Sequence, residues 1–159
     1  MKYLKLFEDT IIKHSNPIAI NHPLRDFSRK LEDVVIALKN FDNFKDGSVK
    51  RFFNLDGHIT IMYNYEWRKL LKISLIQSNE NVLLIFRAFD QYYLGKDGKN
   101  TQIFVNLMKL NLDKYKIETP NITDKKEMSY FNFPLSEINI VLKKIEEYYI
   151  EIDANKYNL

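Results

Sequence analysis

The spacing of apolar residues changes after Phe41, and this change restricts the fold more than any other feature of the sequence. Before it, an apolar stripe with helical spacing runs from Leu24 to Leu38. Pro23 precedes the stripe and suits the first position of a helix, where its missing N–H costs nothing. After Phe41, apolar and polar residues alternate, as they do on strands of a half-buried sheet. A helix followed by a series of strands predicts an α+β domain.

Four strands are predicted between residues 49 and 89. They cover 49–55, 58–67, 69–77 and 82–89. Asp56-Gly57 is a strong hairpin signal, because tight turns need residues that tolerate positive φ. On the second strand, Tyr65 and Trp67 continue an alternating row of apolar side chains. Consecutive strands joined by short turns predict an antiparallel meander.

Further helices and one more strand are predicted outside these four strands. Residues 2–13 have the spacing of a short amphipathic helix. Residues 101–112 fit a helix capped by Thr101, with a buried strand as the alternative. Residues 128–133 are predicted as a strand, and Ser136 as the cap of a final helix. The whole is one α+β domain over 1–159, with two N-terminal helices and a C-terminal helix packed on an antiparallel sheet of about five strands.

Composition restricts the classes of function. The 159 residues are 45% hydrophobic and 28% charged, which is typical of one globular domain and not of a disordered chain. No apolar run reaches the roughly 18 residues of a membrane span, and no secretory signal pattern opens the chain. With no Cys, thiolate metal sites and Cys nucleophiles are excluded. We therefore expect a cytoplasmic protein without a cofactor and without a membrane partner.

Two patterns in the sequence partly match known catalytic sites. His58-Ile59-Thr60 resembles one half of the paired motif of two-histidine phosphoesterases, but no second copy follows it. Asp56, Glu66 and Lys69 occur in the order expected of a metal-dependent nuclease, although the Glu-x-Lys spacing is missing. The nuclease is kept only as a third hypothesis. The sequence assigns no catalytic and no metal-binding residue.

The segment after Tyr63 combines aromatic and basic residues, and it supplies the candidate binding site. The predicted site consists of Tyr65, Trp67, Arg68, Lys69 and Lys72. Tyr, Trp and Arg are frequent hot spots of protein interfaces. Aromatic side chains beside cations are also typical of surfaces that stack single-stranded bases. The alternative for this strand is burial of the aromatic row beneath a helix, which we favour for Tyr63.

The opening segment, Met1-Lys2-Tyr3-Leu4-Lys5-Leu6-Phe7-Glu8-Asp9, resembles the short leader of some internal head proteins of large tailed phages. The resemblance implies a phage or mobile-element origin. The leading hypothesis is a non-enzymatic binding protein that inhibits or redirects a host protein, such as a defence factor, by occupying its surface. The alternative is a protein that binds single-stranded nucleic acid.

Overall fold

The computed structural model describes residues 22–41, 46–54, 57–89, 99–118 and 128–157. They form three α-helices, six strands and two short 3-10 turns. In chain order these are α1 (Pro23–Phe41), β1 (Ser48–Phe53), β2 (His58–Tyr65), β3 (Arg68–Ser78), β4 (Asn81–Ala88), α2 (Lys99–Asn111), a 3-10 turn (Asp113–Tyr115), β5 (Lys116–Ile117), β6 (Met128–Pro134), a 3-10 turn (Leu135–Glu137) and α3 (Ile138–Tyr157).

The strands form one antiparallel sheet in the order β1-β2-β3-β4-β6-β5. The first four strands follow one another as a meander, which confirms the predicted order of these strands. The described residues supply six strands to the sheet, where about five are predicted. The additional strand is β5, whose two residues pair with Tyr130 and Phe131 of β6. Strand β1 lies at the outer edge.

All three helices cover the same face of the sheet, and the core lies between them and this face. Its centre is a group of aromatic rings: the Phe86 ring of β4 lies 6.0 Å from Phe104 of α2 and 5.9 Å from Phe131 of β6. Tyr63 of β2 is completely buried in the same core. The predicted burial of Tyr63 is therefore confirmed. None of the three described helices combines the length and apolar content that a bilayer crossing requires.

Helix α1 begins where Pro23 predicts, and polar contacts fix it to the edge of the sheet. At its first turn, the backbone N–H of Leu24 donates to Nδ1 of His22 at 3.0 Å, so the His22 side chain caps the helix. Further along, the Arg51 guanidinium of β1 donates to Oγ of Ser28 at 3.1 Å and to the carbonyl oxygen of Arg25 at 3.3 Å. Arg51 therefore joins the edge strand to the helix above it.

The α+β class and the helix at residues 101–112 are confirmed, but three local predictions are wrong. Thr101 does not cap α2, because the helix begins at Lys99 and Thr101 is buried inside its first turn. Ser136 does not cap α3. It lies within a 3-10 turn that leads directly into the helix and that has no side-chain cap. Trp67 does not continue β2, which ends at Tyr65. The predicted helix at 2–13 lies outside the described residues.

Candidate functional site

The hairpin between β2 and β3 places Trp67 at an exposed tip. Tyr65 and Arg68 are the last paired residues of the two strands, and Glu66 and Trp67 form the two-residue turn between them. The Trp67 side chain is 81% exposed. The guanidinium carbon of Arg68 lies 5.3 Å from the centre of the Trp67 ring, within the range of a cation–π contact. We call Glu66, Trp67 and Arg68 the hairpin tip.

The turn has an unusual backbone conformation at Glu66. Its φ is 56°, in the left-handed region that glycine, asparagine and aspartate tolerate better than other residues. A two-residue hairpin of this kind requires a positive φ at its first position, and here Glu supplies it. Below the tip, Tyr65 packs against the hydrophobic core. The core and the strand pairing therefore fix the position from which Trp67 projects.

The five predicted site residues divide between two surfaces. Trp67 and Arg68 belong to the hairpin tip, and Tyr65 supports it from the core side. Lys69 and Lys72 lie instead on the sheet face opposite the helices. A bulge explains why these two lysines share a face although they are three residues apart. Lys72 pairs with Met62 and Lys69 pairs with Asn64, so Leu70 is an extra residue that turns into the core.

The sheet face opposite the helices is called the open face. Its side chains are half-buried or exposed, and no described helix packs on it. Because directly paired residues point to the same side, the strand register defines its rows. One row consists of Lys50, Met62, Lys72, Arg87 and Met128. The next row consists of Phe52, Thr60, Ser74, Ile85 and Tyr130.

The open face carries a concentration of positive charge. Lys72 and Arg87 lie directly opposite each other on β3 and β4, with Lys50 in the same row and Lys69 beyond the bulge. Phe89 lies among them: the Arg87 guanidinium carbon is 4.5 Å and Lys69 Nζ is 5.8 Å from the centre of its ring. None of the paired strand residues that the structure describes on this face is Asp or Glu. The face therefore suits a negatively charged partner.

Of the residues in the nuclease hypothesis, Glu66 and Lys69 lie at the hairpin between β2 and β3, and Asp56 lies outside the described residues. In the described part of the chain, no group of three or more His, Asp or Glu residues has the arrangement of a metal site.

Comparison with known proteins identifies no relative of this chain. No protein-family model, no curated protein and no solved structure matches the chain.

Sequence reasoning missed three residues of the open face, namely Lys50, Arg87 and Phe89. Each lies in a predicted strand, and alternation alone places Lys50 and Arg87 on the polar side of that strand. Their proximity to Lys72 depends on the register between strands, which a single sequence does not specify. A count of basic residues at outward-facing strand positions would have found the charge, but not the pairing of Lys72 with Arg87.

Proposed function

We propose that this protein is a non-enzymatic binding protein that acts by occupying the surface of a partner protein, with the hairpin tip as its anchor. The observation that supports the proposal is the 81% exposure of Trp67 beside Arg68 on a two-residue turn. Trp and Arg dominate the binding energy of many interfaces. In the proposal, the partner is a host protein in the cytoplasm, and the protein is phage-encoded and inhibits or redirects that host protein.

The geometry of the tip favours tight binding for a physical reason. Binding through a short turn orders little additional backbone, since β2 and β3 already fix the backbone on both sides of Trp67. Tyr65 strengthens this support because it packs against the core directly beneath the turn. Insertion of the Trp67 ring into an apolar pocket would remove its exposed surface from water, while Arg68 at the margin pairs with a carboxylate of the partner.

The experiment is capture of partners from nuclease-treated lysate of host-like bacteria, with the whole chain immobilised. The test variant is Trp67→Ala with Arg68→Ala. The control is Ile140→Ala with Lys143→Ala, which removes an exposed apolar residue and an exposed cation from α3. Treatment with nuclease removes proteins that are held only through nucleic acid.

We expect one host protein to be retained by the unmodified chain and by the control variant, but not by the tip variant. In the purified pair, loss of both tip side chains should weaken binding by about 2 kcal/mol or more. Circular dichroism should show an unchanged fold, since Trp67 contributes little to the core. Retention of the same host protein by the tip variant would remove the tip as the anchor.

A further inference from the structure

The open face concentrates like charges where a sheet ordinarily avoids them. Lys72 and Arg87 are direct cross-strand neighbours, and like charges at such positions destabilise a sheet. Lys50 lies in the same row, and Lys69 lies on the same face beyond the Leu70 bulge. No carboxylate among the described paired residues of this face offsets the four charges. A negatively charged partner would remove this repulsion.

We propose that the open face binds single-stranded nucleic acid. This surface lies on the side of the sheet opposite the helices, and the proposal goes beyond the protein-binding role assigned to the hairpin tip. The four cations would contact successive phosphates, and bases would lie against the apolar side chains between the cationic positions. The positive charge of the face complements the negative charge of the phosphates. The apolar side chains of the face determine which polyanion fits best.

Apolar and aromatic side chains lie beside the cations on this face. Met62 lies between Lys50 and Lys72 in the same row, and Met128 follows Arg87. In the next row, the half-buried ring of Tyr130 lies two residues along β6 from Met128. Unpaired bases have planar faces that stack on such groups and phosphates that pair with the cations. A duplex hides its base faces, and an acidic peptide presents no comparable planar groups.

The test measures fluorescence anisotropy of a labelled oligodeoxythymidine of about 20 nucleotides with the whole chain. Four phosphate contacts predict a slope of about −2.8 in log affinity against log salt, or about 50-fold weaker binding for a fourfold rise in salt. The variant Lys72→Gln with Arg87→Gln should lower this effect to about sevenfold, because two contacts remain. The matched control is Lys109→Gln with Lys143→Gln, which removes the same charge from the helices and should bind like the unmodified chain.

Stacking is tested separately at Tyr130. Tyr130→Leu should weaken oligonucleotide binding by about fivefold or more, whereas Tyr130→Phe, which keeps the ring, should retain it. Trp67→Ala with Arg68→Ala should leave oligonucleotide binding unchanged, so that failure of the hairpin-tip proposal and failure of this proposal are distinguishable. A DNA duplex of equal length and polyglutamate should both compete poorly.

Three results would overturn the proposal. The first is no binding of the oligonucleotide at low salt. The second is an unchanged salt slope after Lys72→Gln with Arg87→Gln. The third is binding of polyglutamate or of the duplex as tight as that of the oligonucleotide, since the face would then recognise negative charge from a protein or from a phosphate backbone alone.

Discussion

Lys72 on β3 and Arg87 on β4 occupy directly opposed positions on the face of the sheet that no described helix covers. Cβ atoms of such pairs lie about 5 Å apart, close enough for two positive charges to repel each other. The Arg87 guanidinium contacts the Phe89 ring at 4.5 Å, which partly offsets this cost through a cation–π interaction. The pair therefore lowers the free energy of unfolding, and a substitution that removes one of the two charges should raise it.

Replacement of Lys72 by Thr should stabilise the protein. The substitution removes the repulsion from Arg87 and introduces a residue favoured on strands, so we expect a gain of about 0.2–1 kcal/mol in the free energy of unfolding. Urea denaturation at low salt measures it. The control is Lys50→Thr, because in the register of the described strands Lys50 lies opposite the uncharged Met62. Equal gains in both variants would show that the pair costs nothing.

Replacement of Glu66 by Gly should stabilise the hairpin between β2 and β3. Glu66 has a φ of 56°, which costs a residue with a Cβ about 1 kcal/mol relative to glycine. Part of this gain is lost because glycine is more flexible in the unfolded chain. The expected net gain is about 0.5 kcal/mol, measured by thermal or urea unfolding.

The turn between β3 and β4 supplies the control for the Glu66 substitution. There the residue with positive φ is Asn79, at 54°, and the following Glu80 has an ordinary backbone conformation. Glu80→Gly should therefore leave the stability unchanged or lower it, because the substitution relieves no strain. A gain from both substitutions would mean that loss of negative charge, and not backbone strain, is responsible.

Replacement of Arg51 by Ala should weaken the attachment of α1 to the sheet. Two hydrogen bonds, to Oγ of Ser28 and to the carbonyl oxygen of Arg25, and a half-buried ion pair with Glu32 would be lost, and Ser28 is completely buried. We expect a loss of about 1–3 kcal/mol in the free energy of unfolding. Arg29→Ala is the control, because the ion pair that Arg29 forms with Asp26 is exposed and its loss should change stability by less than about 0.5 kcal/mol. Similar losses from the two substitutions would contradict this assignment.

Replacement of Phe86 by Ala should destabilise the core more than any substitution above. Its ring contacts Phe104 of α2 and Phe131 of β6, so the cavity would lie between the sheet and the helices. The expected loss is about 3–5 kcal/mol. Phe52→Ala provides the comparison, since Phe52 is 45% exposed on the open face and should cost much less. If both variants unfolded at similar urea concentrations, Phe86 would not lie at the centre of the core.

Most of the fold follows from patterns that the sequence carries locally. Burial of one face produces the helical stripe behind Pro23 and the alternation along β2 to β4. The spacing of apolar residues in the sequence shows both patterns directly. The end of β2 at Tyr65 does not follow from the sequence pattern, because Glu66 adopts a turn conformation that glycine or asparagine ordinarily marks. Strand β5 was missed because two residues are too few to establish a period.

The candidate site was only partly predictable, because its geometry depends on the pairing between strands. Local composition identified Trp67 and Arg68, which remain neighbours at the hairpin tip. A regular strand would place Lys69 and Lys72 on opposite faces, and only the Leu70 bulge brings them to the same one. The opposition of Lys72 to Arg87 depends on the register of β3 and β4, and no local signal encodes it.

The position of β1 at the sheet edge affects the tendency of the protein to aggregate with other copies of itself. An edge strand offers unpaired backbone groups to other chains, and this is a common route to aggregation. Lys50 is an exposed cation in the middle of this edge, whereas the charge of Arg51 is paired with Glu32 of α1 at 3.9 Å. A second chain that added its own β1 there would bring Lys50 of both chains to the same interface. Among the described strands, the edge at β1 therefore carries a charge that disfavours intermolecular sheet growth.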